Sequence, residues 1–241
     1  MTTWNPIKLT AMHHAHVARG ATMTESDGWQ RPLRYGSSVE EMETIQRSLG
    51  ICDVSPVGKY LIQGYDIDTV LQKIAPQIRS LKANNVVVSD LVGQQKGSRI
   101  DSVMLSRLCE DELFMVTPSD ASGQLNEILD EHLVGCSHLA NITSNFAAIN
   151  VSGVSSNLML SKLTDLNLSP KMFPDLHCAQ GMMAEVYVIL VRCDKRGLPS
   201  YEVHVSREYG QYMWDAMLEA GNEYGVTAFG IETLKQLLQG G

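Results

Sequence analysis

The chain has 241 residues, 44% of them apolar and 19% charged, with a formal net charge of −8. At about 150 residues per domain that is one large domain or two small ones, with apolar content that argues against wholesale disorder. The acidic balance argues against a nucleic-acid surface, which needs a basic patch, and no apolar run reaches the roughly 18 residues of a membrane span. The five cysteines (Cys52, Cys109, Cys136, Cys178 and Cys193) are odd in number and form no CxxC pair. That favours reduced thiols in a cytoplasmic protein over a disulfide framework or a zinc site. Residues 1–10 carry no apolar segment of the secretory kind.

In chain order, residues 1–36 read as irregular, with Gly20, Gly28, Pro32 and Gly36 and no sustained period. Ser38 reads as the cap of a helix with Glu41 as its capping-box partner; Val39, Met42, Ile45 and Leu49 form the apolar stripe, and Gly50 stops it. Residues 59–63 read as a strand. Asp66 caps the next helix, with Ile67, Val70, Leu71 and Ile74 at helical spacing. Residues 86–92, 99–108 and 113–117 are alternating or β-branched runs separated by turns. Helix is expected over 124–133, strands over 136–143 and 146–152, and a short helix over 158–163. Strands over 185–192 and 201–205 and helices over 207–220 and 231–238 complete the chain. Hairpins without strict βαβ alternation make this an α+β chain.

Most chemistry-bearing residues have plain readings. His13, His14 and His16 lack further ligands at metal spacing and read as solvated loop histidines, so no metal site is expected. Neither GxGxxG nor GxxxxGK occurs. Ser152 is flanked by Asn150 and Val154 where a nucleophile elbow needs glycines. Cys178 beside His177 reads as a buried thiol.

Three stretches, taken together, resemble the aminomethyltransferase (glycine-cleavage T-protein) family. The first runs from His16-Val17-Ala18-Arg19-Gly20-Ala21 through Gly28-Trp29, Pro32 and Tyr35 to Gly50-Ile51-Cys52-Asp53-Val54-Ser55, similar to a GWxxPxxY segment followed by a G(x)FDVS run. The second, Gly97-Ser98-Arg99-Ile100-Asp101-Ser102, resembles GGxxDD. The third, residues 192–202, resembles GYTGExGxE. The resemblance implies a two-lobed α+β folate-binding body, residues 1–55 with 145–241 as one lobe and 56–144 as the other. It also implies that the family's C-terminal β-barrel is absent, so that a protein partner takes its place or the cleft is more open.

The resemblance further implies site residues. Glu202 matches the family's pterin glutamate, and alternation puts it with His204 on the face opposite Tyr201, Val203 and Val205. A carboxylate can accept two parallel hydrogen bonds from an aminopyrimidine edge. Tyr35, Val57, Met104 and Arg192 are the accompanying cofactor-binding candidates, with Lys59 and Arg192 either nearby cations or surface charges. The catalytic candidates are Asp101 and Ser102. If the family's catalytic carboxylate is the second of its pair, Ser102 replaces it and Asp101 cannot simply stand in, because neighbouring strand residues face opposite ways. If it is the first, Asp101 keeps the role. Pro118, Lys195 and Ile231 stand where the family has an asparagine, a tyrosine and an arginine.

Two functions follow from the resemblance. One is tetrahydrofolate-dependent methyl transfer of the demethylase type, from a small methylated substrate and as a subunit of a larger complex. The other is a non-catalytic subunit scaffolding a partner oxidase, dehydrogenase or methyltransferase.

Overall fold

The computed structural model describes residues 7–93, 99–119, 121, 125, 128 and 137–239. The chain divides into two compact units, one of Met1–Pro56, Asn145–Asp175 and Gln180–Gly241, the other of Val57–Ser144 and Leu176–Ala179.

The first unit begins with structure where irregular chain is expected. Strand β1 (Lys8–Leu9) precedes helix α1 (His13–Ala18), then β2 (Thr22–Ser26) and β3 (Trp29–Arg34) form a hairpin, and β1 pairs parallel to β3. Asp27 and Gly28, both at positive φ (55° and 74°), make its two-residue turn, the Asp-Gly signature of a type I′ hairpin. Helix α2 (Ser38–Arg47) starts one residue earlier than expected. Ser37 is the cap, its hydroxyl accepting from Glu40 N at 3.2 Å, and Glu40 completes the box.

The main sheet of this unit contains β4 (Gly50–Asp53), β10 (Phe146–Ser152), β11 (His177–Met183), β12 (Val186–Arg192), β13 (Ser200–Ser206) and β14 (Thr227–Ala228), in the order β11-β12-β13-β10-β4-β14. Strands β10, β12 and β13 are buried almost throughout, as interior strands of β-branched composition should be. Helices α4 (Ser156–Leu160), α5 (Gly210–Gly221) and α6 (Ile231–Leu238) complete the unit, and α5 buries Met213, Trp214 and Met217.

The second unit is an antiparallel sheet in the order β6-β7-β8-β5-β9, from β5 (Gly58–Gly64), β6 (Val86–Val92), β7 (Arg99–Cys109), β8 (Glu112–Thr117) and β9 (Ser137–Asn141). Helix α3 (Ile67–Ile74) packs on it. Asp66 caps this helix, accepting from Thr69 N at 3.3 Å, and Ile67, Val70, Leu71 and Ile74 are all buried in the unit's core with Ile62, Val103 and Leu105. Of the helix expected over 124–133, Leu125 and Ile128 are helical and buried; its other residues lie outside the described ones. The α+β expectation is met in both units.

Candidate functional site

Strand β13 alternates as its sequence demands, with Tyr201, Val203 and Val205 buried on one face. The other face is not solvated. His204 is completely buried and the Glu202 side chain keeps 19% of its exposure, with His204 Nε2 3.3 Å from Glu202 Oε2. Glu202 stands opposite Asn150 on β10 and Val191 on β12. Asn150 donates from Nδ2 to Ser200 Oγ at 3.0 Å and to Tyr201 O at 3.3 Å, and Ser152 donates to Asn150 Oδ1 at 2.7 Å. Two neighbouring strands thus enclose a carboxylate that still reaches solvent. Lys195 donates from Nζ to Cys193 Sγ at 3.4 Å. Burial pushes that thiol up, partly offset by the ammonium.

Arg192 is not a free cation. Its Nε and Nη2 each donate to Asp194 at 2.9 Å, and its Nη1 donates to Phe173 O at 2.7 Å. The guanidinium lies 5.5 Å over the Tyr201 ring, which stacks on Phe173. All three guanidinium nitrogens hold the 173–194 corner of the unit, the geometry of a structural bidentate pair.

Tyr35 also turns inward. Its hydroxyl lies 2.7 Å from His16 Nδ1, and His16 Nε2 lies 2.9 Å from Asp53 Oδ2. His16 is completely buried, edge-on to Trp214 at 4.9 Å between ring centroids, and so is no solvated loop residue. Burial would raise the Asp53 carboxyl, but the hydrogen bond and charge of His16, with the Ser55 backbone N–H, hold it below its ordinary value. Burial pushes the Tyr35 phenol up, helped by Cys52 and Asp53. Glu41, expected in a capping box, is instead a buried acceptor for Tyr35 N (2.7 Å), Gly230 N (3.2 Å) and the Thr233 hydroxyl.

In the second unit, cross-strand register sets Val88, Met104, Val116 and Lys59 in one row. Met104 and Val116 are nearly buried and Lys59 completely so, on the face away from that unit's core. Lys59 Nζ donates to Val57 O at 3.1 Å. Val57 and Lys59 are thus joined at the start of β5, Met104 lies one strand beyond Val116 in the same row, and Lys59 is no surface charge.

Strand β7 carries a bulge at the catalytic candidates. Ser89 pairs with Val103 and Leu91 with Ile100, so Asp90 alone faces two residues, Asp101 and Ser102. Ser102 takes φ 56° and its N–H donates to Asp90 Oδ1 at 3.3 Å, while Arg99 donates to Asp90 Oδ2 at 2.8 Å. Simple alternation therefore does not apply between Asp101 and Ser102: the bulge inserts an extra residue into the strand. The Asp101 side chain lies outside the described residues. Ser102 lines an open groove of about 540 Å³ with Gln77, Val88, Asp90, Val92 and Arg99.

Cys178 is completely buried and its thiol is pushed up to about 12 by burial, which makes it inert at neutral pH. Among the described residues no three His, Cys, Asp or Glu side chains group as a metal site, and no helix is long and apolar enough to cross a membrane.

A discontinuous two-unit α+β chain with a carboxylate enclosed in its main sheet is the architecture at hand. The sequence profile of the GCVT N-terminal domain matches residues 12–238, and the chain belongs to that family. Among curated proteins it is 27% identical over 227 residues to an aminomethyltransferase of Halothermothrix orenii, covering 93% of this chain and 62% of that one. It is 28% identical over 255 residues to sarcosine oxidase subunit alpha of Rhizobium meliloti, covering 97% of this chain and 25% of the relative. The fold matches the crystal structure of glycine cleavage system aminomethyltransferase T from Bartonella henselae with a TM-score of 0.83 at 17% identity, over 96% of this chain and 62% of that one. It also matches a chain of heterotetrameric sarcosine oxidase from Corynebacterium sp. U-96, with a TM-score of 0.62 at 12% identity, over 89% of this chain and 95% of that one. The chain thus spans 62% of the length of the aminomethyltransferases it resembles.

Proposed function

We propose that this chain is the tetrahydrofolate-binding body of a cytoplasmic one-carbon transfer protein of the demethylase type. It takes a methyl or formaldehyde-level carbon from a small methylated substrate and works as a subunit of a larger assembly. The observation that carries this reading is Glu202, a carboxylate enclosed by β10 and β12 yet 19% exposed, where an aminopyrimidine could lay two N–H donors against it. Membership of the family and likeness to an aminomethyltransferase and a sarcosine oxidase subunit support it.

In this reading Glu202 takes the pterin. Val57 and Met104 as apolar contacts, and Asp101 and Ser102 as catalytic residues, take roles drawn from the family resemblance alone. Tyr35 is a cofactor-binding residue only by the family resemblance, and Arg192, over the Tyr201 ring, supports the strand that carries Glu202. The chemistry needs a positioned acceptor nitrogen and proton management more than one fixed charge.

Calorimetric titration with tetrahydrofolate tests the proposal. Glu202→Gln replaces one acceptor by a donor and should weaken binding roughly ten- to a hundredfold. Unchanged affinity would remove Glu202 from the site.

A second reading, a non-catalytic scaffold for a partner oxidase, dehydrogenase or methyltransferase, draws on Ser102. A neutral hydroxyl at an exposed bulge cannot compensate charge developing at nitrogen as a carboxylate would. Absence of folate binding by the folded protein, alone and with its partner, would favour it.

A further inference from the structure

We propose that Arg31 is a carboxylate-recognition residue of the first unit, its guanidinium placed to form a two-pronged ion pair with the carboxylate of a ligand. Arg31 lies on β3 two residues after Trp29, and alternation turns both side chains inward, to 7% and 6% of full exposure. Its Nε is sealed from solvent with no hydrogen-bond partner, and among the described residues none accepts from or pairs with its guanidinium. The two other buried arginines are fully engaged. Arg192 spends its three nitrogens on Asp194 and Phe173 O, and Arg107 spends its three on Asp68, Leu81 O, Cys109 O and Glu110 O. A guanidinium cannot shed its proton to escape burial, and a buried charge is costly unless acceptors meet it.

The surroundings say which anion fits. Burial raises the Cys52 thiol, the Arg31 charge acts against that, and Asp53 and Glu41 add to the rise. Arg31 is therefore within electrostatic reach of Cys52, and both acids are committed elsewhere. Asp53 holds His16 and the Ser55 N–H, and Glu41 accepts from Tyr35 N, Gly230 N and the Thr233 hydroxyl. Cys52 pairs with Asn150 and Asn150 with Glu202, so Arg31 stands near the β4 end of the row that carries Glu202. One planar fork matches one carboxylate bidentately. A dianionic phosphate would be repelled more strongly by Asp53 and Glu41 than a monoanion is. The inference does not depend on the assignment of Glu202 to a pterin.

Formate is the probe. In nitrogen-15 spectra of the wild type, the Arg31 Nε–H resonance should move saturably as formate replaces chloride at constant ionic strength. The same exchange should raise the urea midpoint of the wild type and leave that of Arg31→Met unmoved. Arg31→Lys, which keeps the charge but not the fork, should bind formate about tenfold more weakly. Without ligand, Arg31→Met should raise the midpoint, because it removes an unpaired buried charge. A lowered midpoint would reveal a protein partner for the guanidinium and overturn the proposal. Tetrahydrofolate and tetrahydropterin, which lacks a carboxylate, separate the sources of the anion. If Arg31→Met weakens tetrahydrofolate about tenfold and tetrahydropterin less than about twofold, the carboxylate is the folate's own. If it weakens neither while formate still discriminates, the carboxylate is that of a small substrate. A formate-indifferent Arg31 resonance, with no loss confined to the carboxylate-bearing ligand, would overturn the proposal. If the wild type binds no tetrahydrofolate, the folate reading fails and the formate measurements alone decide for or against Arg31.

Discussion

Asp53, His16 and Tyr35 form a chain of hydrogen bonds of 2.9 and 2.7 Å in the first unit, with the carboxylate and the imidazole completely buried. Because the Asp53 carboxyl is held below its ordinary value in the folded state, its stabilisation is complete above that value and is lost as pH falls through the folded one. Asp53→Asn should therefore cost about 3–5 kcal/mol at neutral pH, by leaving His16 without its charged partner. It should also flatten the acid side of the stability profile, so that urea midpoints of variant and wild type converge as pH falls below the ordinary carboxylate value. A variant whose acid profile parallels the wild type would show that another group carries the dependence. Asp53 was legible in its Asp-Val-Ser run. His16 was not, because its neighbours His13 and His14 are polar and its partners lie far along the chain, Asp53 at 37 positions and Trp214 further still.

The elements followed their periodicity where the two faces of a segment had different fates, one buried and one exposed. Helix α3 buried the stripe its spacing predicted. Helix α2 slid by one residue because two serines, Ser37 and Ser38, can each cap, and the choice fell to Glu40 as box partner. That slip frees Glu41 to join the end of β3 to the start of α6. The bulge in β7 was hidden for a related reason: a serine at φ 56° has no signature in a run of strand-forming residues. A non-glycine residue in the left-handed region costs about 1–2 kcal/mol, and glycine costs the unfolded chain about 0.5–1 kcal/mol in entropy. Ser102→Gly should therefore stabilise the protein by about 0.5–1 kcal/mol, read as a raised urea midpoint. A lowered midpoint would mean that the Ser102 side chain makes a contact that outweighs the strain.

At the scale of the molecule, each unit has its own sheet, and each draws on separated stretches of chain. Residues 176–179 belong with the second unit through backbone bonds: Val86 N donates to Leu176 O and Cys178 N to Asn84 O, both at 2.9 Å. A fragment of residues 57–144 keeps the apolar cluster of that unit but loses these bonds. Hydrogen exchange at the Val86 amide should be at least about tenfold faster in the fragment than in the whole chain, while amides in the centre of β8 stay protected. Equal protection of Val86 in both would show that its shielding comes from within 57–144.

The sequence by itself determined the elements whose residues speak for themselves: β13 from strict alternation, α3 from its stripe and cap, and the family from motifs spread along the chain. These are local patterns, set by the periods of helix and strand. Only the tertiary structure decided which polar residues are used and by what. It buried His204 beside Glu202, committed Arg192 to Asp194 and Phe173, turned Tyr35 onto His16, and let one aspartate, Asp90, face two residues of β7. Burial and pairing depend on what the rest of the chain brings to each side chain. A polar residue reads the same in sequence whether water or a partner satisfies it.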